Sequence, residues 1–193
     1  MKKVLLTAIA MMALVVAGNA QTKDDIQQSE KRVAELQKLV DNSPKSTGIS
    51  DLDKYAESVK NAAALSISNS EQLSNFYYRQ IGETKDGVTD VTIKKPTLEE
   101  WMTLSTSIAG EVASLKKAEE SAEAAIKQLQ VLEEQLKAES NPLKKGKIAK
   151  NAKGAGAIIT FGKDALPIIA TESASQAKAV KDIIETLKTG KNL

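Results

Sequence analysis

The chain of 193 residues contains no cysteine and no histidine, and aromatic residues make up only 3% of it. Without cysteine it has no disulfide, thiolate nucleophile, iron–sulfur cluster or cysteine-ligated zinc. Without histidine, the usual general base and the commonest metal ligand are missing. We therefore predict no catalytic, cofactor or metal site. A hydrolase that relies on carboxylates alone is the enzymatic alternative.

The N-terminal segment has the pattern of a secretory signal peptide. A start with two lysines at residues 1–3 is followed by an apolar run of 13 residues, 4–16, and then by the small residues Gly18 and Ala20. This pattern predicts cleavage after Ala20 and export to the periplasm or the extracellular space. An uncleaved membrane anchor is the alternative, which the shortness of the run disfavours. No cysteine is available for lipid attachment, so a lipoprotein is not expected.

Cleavage changes the charge balance of the chain. The full sequence has 27 basic and 25 acidic residues, but Lys2 and Lys3 lie in the predicted signal peptide. The mature chain, 21–193, would have 25 of each and a net charge of zero. Its few aromatic side chains offer little for stacking on bases. We therefore expect one domain of 173 residues and no nucleic-acid partner.

Apolar residues recur at three- and four-residue intervals through most of the mature chain, which indicates amphipathic helices. Thr97 and Glu100 form a capping box at the start of the longest one. The predicted helices span 22–42, 50–81, 97 to about 141, and 164–189, with a long loop at 82–97. Pro167 lies either in the first turn of the last helix or inside a continuous helix that begins near residue 143.

The connection between the two longest periodic segments indicates the fold. Asn141 and Pro142 form a short turn, and a short turn between helices makes them antiparallel neighbours. We therefore predict an all-α fold: an elongated antiparallel bundle, or coiled-coil-like hairpin, of about four helices after a cleaved signal peptide.

The segment 143–163 carries six lysines and no acidic residue. The first five are a candidate contact for an anionic partner: Lys144, Lys145, Lys147, Lys150 and Lys153. The alternative is intramolecular, because the preceding helix ends with Glu133, Glu134 and Glu139. Acids at a helix end and lysines at the next helix start both oppose the helix dipole, and in a hairpin they would offset each other.

Two other features are candidates for contacts. Phe76, Tyr77 and Tyr78 form a cluster that either packs in the core or offers an aromatic patch.

The stretch 154–170 is the most apolar of the mature chain, and beside the lysines it suggests a membrane-inserting segment. Lys163 and Asp164 interrupt this stretch, so a buried helix is the favoured interpretation. Its glycines match neither a dinucleotide fingerprint nor a phosphate loop, and close helix packing explains them better.

These observations predict an exported, non-enzymatic interaction or structural module of the bacterial envelope or exterior. Its partner would be an unknown protein or a second copy of the chain, with anionic lipid or lipopolysaccharide as a further candidate. A membrane-active or lipid-binding protein that uses residues 143–170 is the alternative function.

Overall fold

The computed structural model describes residues 22–90 and 92–190. The predicted signal peptide lies outside the described residues. The described residues form four α-helices that pack against each other and no strand: α1 (Lys23–Asp41), α2 (Ser50–Ile81), α3 (Leu98–Ala138) and α4 (Pro142–Lys188). The prediction of an all-helical bundle of about four helices is confirmed.

Local capping residues set two of the helix starts. At α3, the backbone N–H of Thr97 donates to the Glu100 carboxylate at 2.7 Å, and the Glu100 N–H donates to the Thr97 hydroxyl at 3.2 Å. Thr22 and Asp25 make the same reciprocal pair at α1. These bonds satisfy N–H groups that have no partner inside the helix, which explains why both helices begin where they do.

The start of α2 is organised differently from its sequence pattern. Ser50 is followed by an acid three residues later, which is the spacing of a capping box, but Ile49 occupies the cap position and makes no side-chain hydrogen bond there. The Asp53 carboxylate instead accepts hydrogen bonds from the preceding loop, including the backbone N–H of Thr47 at 2.8 Å and of Gly48 at 3.0 Å. Asp53 therefore orders the α1–α2 connection.

The last helix is continuous from Pro142 to Lys188, with Pro167 in its interior. Of the two positions that the sequence leaves open for Pro167, the structure shows the one inside a continuous helix, and a separate last helix that begins at 164 is wrong. Asn141 caps the start by accepting hydrogen bonds from the N–H groups of Leu143 and Lys144 at 3.0 and 3.3 Å. Pro142 occupies the first turn, where its missing N–H costs nothing.

The helices pack as a core of three with one helix added. Helices α2, α3 and α4 contact one another, while α1 contacts α2 and α4 and, within the described part of the chain, not α3. The apolar side chains form two clusters. The smaller one surrounds Trp101, whose ring meets Phe76 edge-on at 4.9 Å between centroids.

A glycine permits the closest approach of α2 and α4. A Cβ built on Gly162 would lie 2.0 Å from the hydroxyl oxygen of Tyr55, so no larger residue fits without displacing that ring. Burial raises the pKa of Tyr55 to about 12. Gly162 therefore allows α4 to pack closely against α2, which is the role that the sequence predicts for the glycines of this stretch.

The segment 82–97 joins α2 to α3. Gly82 ends α2 in the left-handed conformation with φ of 71°, which glycine adopts without steric cost. A turn follows, in which the N–H of Thr84 donates to the carbonyl of Val88 at 2.8 Å.

Among the described helices, we find none that combines the length and apolar character needed to cross a membrane.

Candidate functional site

The end of the α3–α4 hairpin is the most exposed part of the bundle. Residues 139–141 connect the two helices. Between Leu132 on α3 and Ala155 on α4, both in the larger apolar cluster, no residue is buried. We call this region, 133–154, the hairpin tip. On α4 it includes Ala152, which packs against that cluster, so the part of the tip beyond the core contacts runs from 133 to 151.

All five candidate lysines lie on the hairpin tip, and all five are exposed: Lys144, Lys145, Lys147, Lys150 and Lys153. None of the ion pairs formed by described residues includes any of them. The nearby acids at 133, 134 and 139 therefore do not form ion pairs with them in this structure. Glu139 instead accepts a hydrogen bond from the backbone N–H of Asn141 at 2.8 Å. The tip lysines are left available to solvent or to a partner.

The first turn of α4 adds two features to the tip. It contains no acidic residue, so the positive end of the helix dipole adds to the lysine charges. Leu143 lies in the same turn and is 86% exposed, more than any other large hydrophobic residue described. An apolar side chain thus lies at the apex, directly beside Lys144 and Lys145.

The apolar stretch 154–170 lies mainly in the core. Six of its side chains are buried in the larger apolar cluster: Ala155, Ile158, Phe161, Ala165, Leu166 and Ile169. They pack against α2 and α3, the two helices that α4 contacts most. In this fold they are not available to a membrane, and they would become so only if the bundle opened.

The structure separates the three clustered aromatic residues. Phe76 is buried against Trp101, with the Arg79 guanidinium 5.4 Å from its ring centre. Tyr78 is also buried, whereas Tyr77 is half-buried and meets Tyr78 edge-on at 5.4 Å. Burial, together with the charges of nearby groups, raises the pKa of Tyr77. Only Tyr77 therefore offers an accessible edge.

Sequence reasoning missed a group of buried polar side chains in the middle of the bundle. Two glutamates are almost fully buried there, Glu111 on α3 at 0% exposure and Glu172 on α4 at 1%. We call the group that surrounds them the buried polar layer. It comprises Ser29, Arg32, Ser66, Asn69, Ser70, Glu111, Glu172, Ser173 and Gln176.

Glu172 connects three helices. Its carboxylate accepts hydrogen bonds from Ser29 on α1 and from Ser70 on α2, the latter at 2.7 Å. The Arg32 guanidinium of α1 forms an ion pair with it at 2.6 Å. Gln176, one turn further along α4, donates to the Ser70 hydroxyl at 2.6 Å. The charge of Glu172 is therefore paired and hydrogen-bonded, as a buried charge must be.

Glu111 has no cation beside it. Its carboxylate accepts hydrogen bonds from Asn69 at 2.7 Å and from the Ser173 hydroxyl. Burial raises the pKa of Glu111, the two hydrogen bonds oppose this effect, and the charge of Glu172 adds to it. Protonation of Glu111 is thus coupled to the folded state.

The sequence did hold a signal for this layer. Ser66, Asn69, Ser173 and Gln176 occupy inward positions of otherwise apolar stripes, and a buried polar side chain requires partners. The sequence does not indicate that Glu111 and Glu172 are buried, because their positions along the helices resemble those of exposed acids.

The buried glutamates lie apart from the surface depression found among the described residues. A surface depression of about 430 Å³ lies against the start of α3, and neither buried glutamate lines it. Over the part of the chain that the structure describes, no group of three or more acidic residues is placed to hold a metal ion.

Comparison with protein-family models, curated protein sequences and solved structures finds no match for this chain.

Proposed function

We propose that this chain is an exported, non-enzymatic helical-bundle protein that acts as an interaction module in the bacterial envelope or outside the cell. The observation that supports this proposal is the hairpin tip, which carries five exposed lysines without ion-pair partners among the described residues. Because the mature chain has no net charge, this local excess would be the main attraction for an anionic macromolecule.

The lengths of α3 and α4 support an elongated, antiparallel form of the bundle. At 1.5 Å per residue, their 41 and 47 residues correspond to about 60 and 70 Å. An interaction module of this shape would present its contact surface at one end. The absence of histidine and cysteine from the sequence supports a role without catalysis.

Export rests on the signal-peptide pattern of residues 1–20. We expect the protein recovered from the periplasm or the medium of a bacterial host to begin at Gln21. Mass spectrometry of the intact purified protein measures this directly. A chain that retains Met1 in the membrane fraction would contradict export by cleavage.

Binding to an anionic polymer tests the interaction function. We expect mature protein to bind immobilised poly-L-glutamate in a salt-sensitive way. Changing the five tip lysines to glutamine should abolish this binding. The matched control changes five exposed lysines away from the tip: Lys23, Lys31, Lys94, Lys95 and Lys188. Equal loss in both variants would show a non-specific charge effect and would refute the assignment to the tip.

Self-association remains a separate outcome of the same proposal. Light scattering of the mature protein measures its mass with and without the tip substitutions. A dimer that persists in both proteins would place self-association on another surface.

A further inference from the structure

We infer that the hairpin tip docks end-on on an anionic phospholipid bilayer, with Leu143 entering the headgroup region and α4 staying within the bundle. This inference rests on the proposed function, because it assigns the partner of the same tip. It differs from insertion of residues 154–170, whose side chains fill the core.

The composition of the tip favours a lipid surface over a protein partner. Residues 133–154 include no aromatic residue and no arginine. Aromatic residues and arginine are enriched in protein–protein interfaces, whereas lysine is depleted there. Lysines close to an anionic leaflet each raise the partition constant about fivefold. A lysine-rich surface without aromatic residues or arginine therefore suits a bilayer better than a folded protein.

The shape of the tip favours the same partner. Because no residue between Leu132 and Ala155 is buried, and no side chain of 133–151 belongs to or packs against either apolar cluster, the tip is a projection and not a groove. A flat bilayer needs no complementary cleft, and an exposed leucine beside basic residues is the arrangement by which peripheral proteins enter the interface. Leu143, 86% exposed in the first turn of α4, occupies that position.

End-on docking predicts a graded effect along α4. Along the helix axis, Lys144, Lys145 and Lys147 lie within about 6 Å of Leu143, at 1.5 Å per residue. Lys150 and Lys153 lie about 10 and 15 Å away, beyond the Debye length of about 8 Å at physiological salt. The first three lysines should therefore carry most of the attraction. A helix lying flat on the membrane would use all five.

Vesicle co-sedimentation tests this gradient. We expect mature protein to bind vesicles that contain phosphatidylglycerol and not vesicles of phosphatidylcholine alone, at about 0.15 M salt. Changing residues 144, 145 and 147 to glutamine should lower the partition constant about a hundredfold, whereas changing residues 150 and 153 should lower it little. The control triple variant changes Lys94, Lys95 and Lys188, toward the other end of the bundle.

The contact of Leu143 with lipid can be measured separately, because the chain has no cysteine of its own. A single cysteine at position 143, labelled with an environment-sensitive fluorophore, should shift to the blue on addition of anionic vesicles. The same label at Val88, which is 61% exposed in the α2–α3 connection, should not. Leu143→Ser should weaken binding about tenfold.

Each result decides between the proposals. Binding to poly-L-glutamate without binding to anionic vesicles would overturn the lipid inference and leave the interaction function in place. No binding to either would overturn both. A loss of about 25-fold from the double variant at 150 and 153, the value expected if both lysines lie at the leaflet, would overturn end-on docking. A label at 143 that does not respond while the protein is bound would exclude Leu143 from the contact.

Discussion

Replacing Gly162 with alanine tests the closest contact between two helices in the core. The added Cβ would lie 2.0 Å from the Tyr55 hydroxyl oxygen and 2.4 Å from Cζ of the ring, where ordinary contacts begin near 3.4 Å. The ring must therefore move by more than 1 Å in a region where it is 3% exposed. Such overpacking costs about 1–3 kcal/mol, and alanine recovers up to about 1 kcal/mol of helix propensity. Since the required displacement is large, we expect a net loss of about 1–2 kcal/mol.

Gly156 provides the matched control for this substitution. It lies less than two turns earlier in the same helix, and a Cβ there would meet nothing within 4 Å. Gly156→Ala should therefore stabilise the protein by about 0.5–1 kcal/mol. In thermal melts, a protein of this size shifts by about 2–4 °C per kcal/mol. The two variants should thus shift the midpoint in opposite directions.

Tyr55→Phe adds an internal check to the Gly162→Ala experiment. The hydroxyl oxygen is the atom nearest to the added Cβ, so removing it should restore part of the lost stability in the double variant. If Gly162→Ala raised the melting midpoint as much as Gly156→Ala does, the close approach of α2 and α4 would be refuted.

Four further substitutions address the buried polar layer and the helix starts. The folded pKa of Glu111 is raised above 4.5, so the stability that this carboxyl contributes is present in full at low pH and is lost as the pH rises through the folded value. Urea titrations at a series of pH values measure this loss. Above about pH 4.5 the unfolding free energy should fall less steeply with pH in Glu111→Gln than in the parent protein. The same pH dependence in both proteins would contradict this prediction. Arg32→Met leaves Glu172 buried without its cation and should lower the unfolding free energy by about 3 kcal/mol. This value is the low end for a broken buried pair, because Arg32 is 23% exposed. A loss below about 1 kcal/mol would show that the ion pair contributes little to stability. Thr97→Ala should cost about 1 kcal/mol by the same titration, whereas Ser50→Ala, which removes no side-chain cap, should have almost no effect.

Helix positions could be predicted from the sequence because their determinants are local. The start of α3 follows from Thr97 and Glu100, which are three residues apart. The end of α2 follows from Gly82, whose left-handed conformation few other residues adopt readily. At the start of α2 the determinant is also local, because the Asp53 carboxylate accepts hydrogen bonds from residues 46–48, but it orders the preceding loop and does not cap the helix.

The sequence leaves the continuity of α4 open between two alternatives, because continuity depends on packing over the whole length of the helix. A proline inside a helix removes one hydrogen bond and crowds the preceding turn, at a cost of about 3 kcal/mol or more. Leu166 and Ile169 on either side of Pro167 are buried in the apolar cluster. Their burial requires α4 to continue along α2 and α3, and it offsets the cost of the proline.

The functional features also include some that the sequence predicts and some that it does not. The lysines of the hairpin tip are neighbours in sequence, so their clustering was visible at once. The contacts of Glu172 join it to Ser29 and Arg32, which are 143 and 140 residues away. No local pattern reveals that two such distant segments meet, or that their acid is buried.

The buried polar layer also fixes the axial alignment of the four helices. Apolar stripes tolerate a shift of one turn, about 5.4 Å, because one aliphatic side chain can replace another. Glu172 draws its donors from α1 and α2, and Glu111 draws its donors from α2 and α4. A one-turn slip of any of these helices would remove one or more donors from a buried carboxylate, which is more costly than an imperfect apolar contact. The layer therefore sets how far the α3–α4 hairpin extends beyond α1 and α2.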